Sequence, residues 1–227
     1  MARSKVASLL TLLTLFALAP GCATAGTTDD DGGGATGDAG DAGAKPDSGA
    51  ADSGKTDTGS SGCTMPFIGA LATYDFAAEL GTQATTAPKS SAPGVSAGAF
   101  GRSNGLTPVA GTGSINSSGW PIAGALDPTK YYTFTLTPDP SCAIDVSSIA
   151  IATQSSGTGP TAAAITTSSD GFSQATSFMP TSNGAVNVTV SGTPGGQLEV
   201  RVHGWAAGAT GGTFRVQNTL TVTGALR

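Results

Sequence analysis

A stretch of 40 residues, 23–62, contains no Val, Ile, Leu, Met or aromatic side chain. It consists almost entirely of Gly, Asp, Ala, Ser and Thr, and it carries eight acidic residues against two lysines. A segment of this composition cannot bury enough apolar surface to offset the conformational entropy that folding removes. We therefore expect residues 22–62 to form a disordered acidic tether, so that any folded domain has to be built from residues 63–227.

Residues 1–21 have the pattern of an export signal. Arg3 and Lys5 form a short basic region, and an apolar run of about 14 residues follows from Val6 to Ala19. This run is too short to cross a bilayer core of roughly 30 Å as a helix. The sequence thus predicts a signal peptide rather than a transmembrane anchor.

The end of the apolar run, Leu18-Ala19-Pro20-Gly21-Cys22, resembles the lipobox of bacterial lipoproteins, in which a small residue precedes a cysteine that receives a diacylglycerol. The resemblance implies that Cys22 becomes the lipidated first residue and that acyl chains such as palmitate hold the protein to a membrane. It also implies an exported protein of the bacterial cell envelope, anchored at the outer membrane or the cell surface. Cleavage after Ala23-Thr24-Ala25 is the alternative.

The chain has three cysteines, and in an exported protein an odd number leaves one that needs its own explanation. Lipidation of Cys22 supplies it. Cys63 and Cys142 then remain as a pair in an oxidising compartment, and we expect a disulfide between them. Two unpaired thiols are the alternative, because sequence gives no distance between their Cα atoms.

The composition of residues 63–227 is typical of an all-β domain, with short alternating apolar stretches between turns rich in Gly, Pro and Asn. The clearest strands with period-two alternation lie around 131–136, 186–191, 198–203 and 214–222, the last of them interrupted at Asn218. Further strands are expected over 71–76, 143–153 and 161–167. Within 143–153 the inward-facing parity changes at Ser147-Ser148, which predicts a β-bulge. Roughly eight to ten strands with one wet face predict a two-sheet sandwich, and the long irregular section 82–124 favours a jelly-roll-like topology.

Three groups of residues resemble a jelly-roll-type domain that recurs in secreted bacterial proteins, including proteins with the PEP-CTERM sorting tail. They are Leu71-Ala72-Thr73-Tyr74-Asp75-Phe76, Ser155-Ser156-Gly157-Thr158-Gly159-Pro160 with Ser168-Ser169-Asp170-Gly171-Phe172, and Gly211-Gly212-Thr213-Phe214-Arg215-Val216-Gln217-Asn218. The resemblance covers about residues 72–224 and implies a lectin-like or carbohydrate-module-like sandwich outside the cell. Such sandwiches often hold a structural calcium. Asp75 matches its first ligand, whereas Gln217 and Asn218 stand where an acidic ligand is expected.

Composition excludes several classes of function. Residues 63–227 carry six basic and seven acidic side chains, so the domain lacks the basic patch of a nucleic-acid-binding protein. His203, the only histidine of the chain, is expected on the outward face of a strand, and nothing in the sequence pairs it with a nucleophilic serine as in a Ser-His-Asp triad. One histidine also leaves no ligand cluster for a transition metal. Glycoside cleavage requires two carboxylates in different environments, whereas the acidic residues of the domain form no sequence pair and most lie beside Pro or Gly in predicted turns. We therefore expect a protein that is not an enzyme and that needs no cofactor.

The most informative local feature is the outward parity of the predicted strand at 198–205, which carries Glu199, Arg201, His203 and Trp205. A Trp beside hydrogen-bonding side chains suits the apolar face and the hydroxyls of a sugar ring. The alternative is that Trp205 folds over the sheet edge beside Gly204 as a core cap while Glu199 and Arg201 merely pair across strands. Trp120 is either a second binding platform on a loop or a plug that closes the end of the core, and the plug is the preferred interpretation.

Together these features predict a non-enzymatic, membrane-anchored surface lipoprotein whose β-sandwich binds extracellular polysaccharide. The alternative is a passive structural or assembly component of the envelope that contacts another protein through a sheet face or an edge strand. A hydrolase remnant or accessory domain is a third hypothesis. An exposed Trp205 in a shallow groove would favour the first function, and an apolar patch or an uncapped edge strand would favour the second.

Overall fold

The computed structural model describes residues 63–227. The predictions for the signal peptide, for lipidation at Cys22 and for the tether over residues 22–62 lie outside the described residues. No helix within residues 63–227 has the length and apolarity needed to cross a membrane.

Fifteen β-strands and one short 3₁₀ helix, Ser168–Asp170, make up the described part of the chain. The strands are β1 (Phe67–Asp75), β2 (Leu80–Gly81), β3 (Thr85–Thr86), β4 (Pro88–Ser91), β5 (Val95–Ala97), β6 (Phe100–Arg102), β7 (Thr107–Pro108), β8 (Ser114–Ser118), β9 (Tyr132–Pro138), β10 (Ile144–Ser155), β11 (Pro160–Thr167), β12 (Thr176–Phe178), β13 (Ser182–Ser191), β14 (Leu198–Ala207) and β15 (Phe214–Leu226).

The strands form two sheets packed face to face, which confirms the all-β, two-sheet sandwich. Sheet A has the order β13-β10-β15-β1-β4, with β8 also paired to β15 and with β2 and β7 paired to β8. Sheet B has the order β12-β11-β14-β9-β6-β3, with β5 also paired to β9. The seven strands of at least seven residues, β1, β9, β10, β11, β13, β14 and β15, alternate between the two sheets along the chain, which is the jelly-roll-like connectivity that the sequence predicts.

Alternating burial explains why these segments form strands of a sandwich. In β9 the side chains of Tyr132, Phe134 and Leu136 are buried between the sheets, whereas Thr133 and Thr135 lie half-buried on the outer face. The core between the sheets is aromatic, and its rings contact one another at centroid distances of 5.2–6.3 Å. These rings are Tyr74, Phe76, Phe100, Trp120, Tyr132, Phe134 and Phe214.

Two irregularities that the sequence predicts are present in sheet A. The register of β10 shifts between Val146 and Ser148 against both of its neighbours, which is the bulge expected at Ser147-Ser148. Asn218 interrupts the alternation of β15 with a positive φ of 60°, a conformation that Asn tolerates better than most residues.

The predicted disulfide between Cys63 and Cys142 is present, with a Cα–Cα distance of 4.4 Å. It ties the start of the described chain to the turn before β10. Next to it, the backbone N–H of Ala143 donates to the carbonyl of Arg227 at 2.7 Å, and the backbone N–H of Arg227 donates to the carbonyl of Ala143 at 3.0 Å. Both ends of residues 63–227 are therefore fixed to the same turn.

The section 82–124, expected to be irregular, contains six strands of two to five residues each. The half-buried guanidinium of Arg102, at the end of β6, links β6 to the segment at β2 and to β8, since it donates to the carbonyl oxygens of Gln83 at 2.7 Å and Gly81 at 2.8 Å and to the hydroxyl of Ser117 at 3.0 Å. The Arg102 side chain thus supplies hydrogen bonds to two backbone carbonyl oxygens, those of Gly81 and Gln83.

Candidate ligand-binding face

The outer face of sheet B is built around β14, whose side chains alternate as predicted. Leu198, Val200 and Val202 are buried between the sheets. The opposite parity places Glu199, Arg201, His203 and Trp205 on the outer face, between β11 on one side and β9 on the other.

Arg201 lies between two aromatic rings on this face. Its guanidinium carbon is 4.3 Å from the ring centroid of Tyr131 and 3.7 Å from that of Phe172. Tyr131 immediately precedes β9, and Phe172 belongs to the turn after the 3₁₀ helix, where it has a positive φ of 63°. Cation–π attraction on both faces of the guanidinium, with its stem half-buried, fixes this side chain in one position.

Glu199 is the ionic partner of Arg201. The Arg201 Nε donates to Glu199 Oε1 at 2.7 Å, and both side chains are largely buried, with 20% and 28% of their surface exposed. The Thr133 Oγ1 lies 3.1 Å from the same carboxylate oxygen. Within residues 63–227 the two Nη atoms of Arg201 and Oε2 of Glu199 make no hydrogen bond, so donors and an acceptor remain on this face.

His203 has the predicted outward parity but is only 2% exposed, because the loop that precedes β9 covers it. Its Nδ1 lies 3.1 Å from the carbonyl oxygen of Lys130, and its Nε2 lies 3.1 Å from Thr166 Oγ1. A carbonyl only accepts, so Nδ1 carries the proton and the neutral Nε2 accepts from the Thr166 hydroxyl. Burial lowers the pKa of His203 below its usual value. The expectation that His203 contacts a ligand is therefore wrong, since a covered imidazole cannot reach one.

Trp205 lies half-buried at the end of this face, with the small Ala162 as its neighbour on β11. The chain beyond it is held by backbone bonds from Ala206 to the carbonyl of Ala123 at 3.2 Å and from Ala207 to that of Pro121 at 2.9 Å. The indole is not part of the core between the sheets. It forms a partly exposed end to the row that starts at Glu199.

Trp120 is a core residue, which corrects its place among the candidate binding residues. It is 2% exposed and packs edge-on against Tyr132 and Phe214 at centroid distances of 5.3 and 5.4 Å. Its indole N–H donates to the carbonyl of Ser117 at 2.9 Å. A ring enclosed in this way cannot stack on a ligand, so the preferred interpretation of Trp120, a plug that closes the core, agrees with its burial.

Asp75, the candidate calcium ligand, is engaged by protein groups. Its carboxylate accepts from Lys89 Nζ at 2.8 Å and from the backbone N–H of Ala77 at 3.0 Å. The hydrogen bond from Lys89 and the one from Ala77 lower the pKa of this carboxyl. In residues 63–227 no three His, Cys, Asp or Glu side chains come together in a way that could hold a metal ion.

Tyr131 and Phe172 are the residues of this face that sequence reasoning missed. The alternation of residues 131–136 predicts that Tyr131 faces outward with Thr133 and Thr135, but parity alone does not indicate its contact with Arg201. Phe172 lies in a turn, where the alternation of a strand cannot predict the direction of a side chain. Its contact with Arg201, 29 positions away in the sequence, could not be predicted from the neighbouring residues.

Comparison with known proteins finds no protein-family model, no curated protein and no solved structure that matches this chain. A function has to be inferred from the residues of the outer face themselves.

Proposed function

We propose that this protein is a non-enzymatic lipoprotein of the bacterial cell envelope, held to the membrane by acyl chains on Cys22, whose β-sandwich binds extracellular polysaccharide. The observation that carries the proposal is the outer face of sheet B, hereafter the β14 face, formed by Tyr131, Phe172, Glu199, Arg201 and Trp205. It combines a partly exposed indole with a fixed pair of hydrogen-bonding side chains.

Sugar recognition needs an apolar surface for the C–H face of the ring and polar groups that satisfy its hydroxyls. Trp205 supplies the surface, the Nη atoms of Arg201 are donors, and Glu199 Oε2 is an acceptor. Because Glu199 neutralises Arg201 at 2.7 Å, the β14 face carries little net charge and suits a neutral polysaccharide.

The β14 face is also preorganised. Arg201 loses rotational freedom on folding, since two rings and a carboxylate already hold it. A ligand that bonds to it pays little additional side-chain entropy, which raises affinity for a given set of contacts.

The test is binding of the full chain to neutral polysaccharides: cellulose, chitin, starch and a β-1,3-glucan. We expect at least one to bind, and Trp205→Ala to weaken that binding at least tenfold. Phe172→Ala should weaken it less, because it only loosens Arg201. Met179→Ala removes a large side chain that is 71% exposed and does not belong to the β14 face, so it is the matched control. Absence of binding across the panel, or equal binding by Trp205→Ala, would overturn the proposal.

The membrane anchor has its own test. Cells expressing the full chain are labelled with radioactive palmitate, and label is expected in the wild type and absent in Cys22→Ala. A mature protein that begins at Gly26 would instead show cleavage after Ala25 and no lipid.

A second candidate function, assembly with another envelope protein, is favoured by the edge strand β13. This ten-residue strand pairs only with β10 in the described part of the chain. Its exposed positions, Asn183, Gly184, Ala185, Asn187, Thr189 and Ser191, carry no charge. The strand at the opposite end of the order β13-β10-β15-β1-β4, β4, carries Pro88 and Lys89, which are residues that protect an edge. Strand β13 can therefore accept a strand from a partner.

The assembly function predicts that the full chain associates, with itself or with an envelope protein, through β13. Asn187→Lys places a charge on this edge and should lower the associated fraction in chemical cross-linking of whole cells. Ser96→Lys, on an exposed position of the short strand β5, is the control. An unchanged cross-linking pattern in Asn187→Lys would exclude this edge as the interface.

A further inference from the structure

A polar cleft of about 190 Å³ opens on sheet A, the sheet opposite to the β14 face. It is lined by Asn116, Gln154, Ser155, Ser156, Thr213 and Arg215. Two of the sequence motifs that carry the family resemblance, 155–160 and 211–218, supply four of these six residues. The cleft is smaller than the roughly 300–1,000 Å³ of sites for drug-sized ligands, so it suits a ligand of the size of a single sugar.

The floor of the cleft is a row of side chains across three strands. In the register of sheet A, Arg215 of β15 lies opposite Asn116 of β8 on one side and opposite Gln154 of β10 on the other. The neighbouring Val216 is buried between the sheets, so this row faces outward.

The wall of the cleft depends on the close approach of two loops. Ser156 N–H donates to the carbonyl of Thr213, and Thr213 N–H donates to Ser156 Oγ, both at 2.9 Å. A Cβ on Gly159 would lie 2.2 Å from the carbonyl oxygen of Thr213, and a Cβ on Gly212 would lie 1.9 Å from that of Thr158. Glycine is required at both positions because no side chain fits between the loops.

Arg215 gives the cleft an uncompensated positive charge. Its Nη2 donates to the amide oxygen of Gln154, a neutral group. The ion pairs within residues 63–227 are Lys89–Asp75, Arg201–Glu199 and Arg227–Asp145, and none involves Arg215. A guanidinium without a carboxylate partner, beside serine and threonine hydroxyls, is an arrangement that favours an anionic oxygen ligand.

Asn116 adds a buried acceptor. The residue is 5% exposed, and its Nδ2 donates to the carbonyl of Ala110 at 3.1 Å, which fixes the orientation of the amide. Its Oδ1 has no hydrogen-bond partner within the described residues. A buried acceptor without a donor is unfavourable, and a ligand hydroxyl can satisfy it.

We propose that this cleft binds a hydroxy-carboxylate of the size of one uronic acid. Its carboxylate accepts hydrogen bonds from Arg215, and one of its hydroxyls donates to Asn116 Oδ1. The site goes beyond the proposed function, because it lies on the other sheet from the β14 face and takes an acidic ligand rather than a neutral one.

The test measures binding of D-glucuronate to the full chain by isothermal titration calorimetry, with D-glucose and acetate as comparison ligands. Glucuronate should bind at least tenfold more tightly than either, since glucose lacks the carboxylate and acetate lacks the hydroxyls. Raising NaCl from 50 to 500 mM should weaken glucuronate binding because salt screens the charge of Arg215. Glucose binding as tightly as glucuronate, or no effect of salt, would overturn the proposal.

Variants locate the site. Arg215→Gln should lose at least tenfold in affinity for glucuronate, and Arg215→Lys should lose less, because it keeps the charge but not the planar fork. Lys89→Gln changes the net charge equally on a different strand and should bind as the wild type does. Asn116→Ala should weaken glucuronate binding and leave acetate binding unchanged. Wild-type affinity in Arg215→Gln would show that the ligand is held elsewhere.

Two further measurements distinguish a polymeric from a free ligand, and the cleft on sheet A from the β14 face. A polyuronate oligosaccharide that binds more tightly than free glucuronate identifies a polymer as the source, and equal or weaker binding identifies the free acid. Trp205→Ala should leave glucuronate binding intact, and Arg215→Gln should leave neutral polysaccharide binding intact. Failure of one proposal is therefore visible independently of the other.

Discussion

His203 gives the stability of the fold a pH dependence that a single residue controls. In the unfolded chain an imidazole takes up a proton near pH 6.5. In the folded chain burial lowers the pKa of His203, so the unfolded state binds more protons below pH 6.5 and stability falls as the pH falls through this range. We expect the urea midpoint to decrease between pH 6.5 and pH 5, and His203→Gln to remove most of that decrease.

The window from pH 6.5 to pH 5 isolates this effect. His203 is the only histidine in the sequence. The carboxyls of Asp75, Asp127 and Asp145 have lowered pKa values, so what they contribute to stability is lost only below about pH 4. The same slope of stability against pH in His203→Gln and in the wild type would contradict the assignment.

The two tryptophans should differ sharply in their effect on stability. Trp120→Ala removes a buried ring between Tyr132 and Phe214 and should lower the free energy of unfolding by about 3–5 kcal/mol. Trp205→Ala removes a half-buried ring on the outer face and should cost less than half as much. Equal losses in urea denaturation would show that Trp205 caps the core after all.

Single residues also show where sequence reasoning stops. Alternation correctly assigns Glu199, Arg201, His203 and Trp205 to one side of β14, because parity is a local property of a strand. The loop that covers His203 is distant in sequence, since the carbonyl of Lys130 that bonds to the imidazole lies 73 positions away. Burial of an outward residue by a distant loop leaves no trace in the periodicity.

At the scale of elements, the close contact between the loops before β11 and before β15 depends on two glycines, Gly159 and Gly212. Gly212 and Gly211 are neighbours in the turn between β14 and β15, yet a Cβ on Gly212 would lie 1.9 Å from a backbone oxygen, whereas one on Gly211 would meet nothing within 4 Å. Gly212→Ala should lower the free energy of unfolding by about 1–3 kcal/mol. Gly211→Ala should change it by no more than about 1 kcal/mol, toward higher stability. Equal urea midpoints for the two variants would refute this account.

Prediction of the elements succeeds where strands are long and fails where they are short. The bulge at Ser147-Ser148 and the interruption at Asn218 are visible because long alternating strands flank them. The strands between residues 80 and 118 have two to five residues each and few large apolar side chains. These strands form because β1, β8, β9 and the guanidinium of Arg102 supply their hydrogen bonds. The β-propensity of the local sequence cannot predict such pairing with distant strands.

At the scale of the whole molecule, closure of the sandwich depends on contacts between the first and last strands of residues 63–227. Strand β15 lies between β1 and β10, and Phe67 is paired with Leu226. Such long-range pairing carries a large loop-closure entropy and is typical of slowly folding β proteins. A covalent link that lowers this loop-closure entropy is therefore expected to stabilise the whole fold.

The disulfide is that link, since Cys63 and Cys142 are 79 positions apart. Closing a loop of this length stabilises a fold by about 4.5 kcal/mol in the chain-entropy model, chiefly by restricting the unfolded chain. We expect dithiothreitol, or the double variant Cys63→Ala/Cys142→Ala, to lower the free energy of unfolding by about 2–5 kcal/mol in urea denaturation. Cys22→Ala keeps the disulfide and should lose the same stability on reduction. If reduction left the midpoint unchanged, the hydrogen bonds between Ala143 and Arg227 and the pairing of β1 with β15 would suffice to hold the ends together.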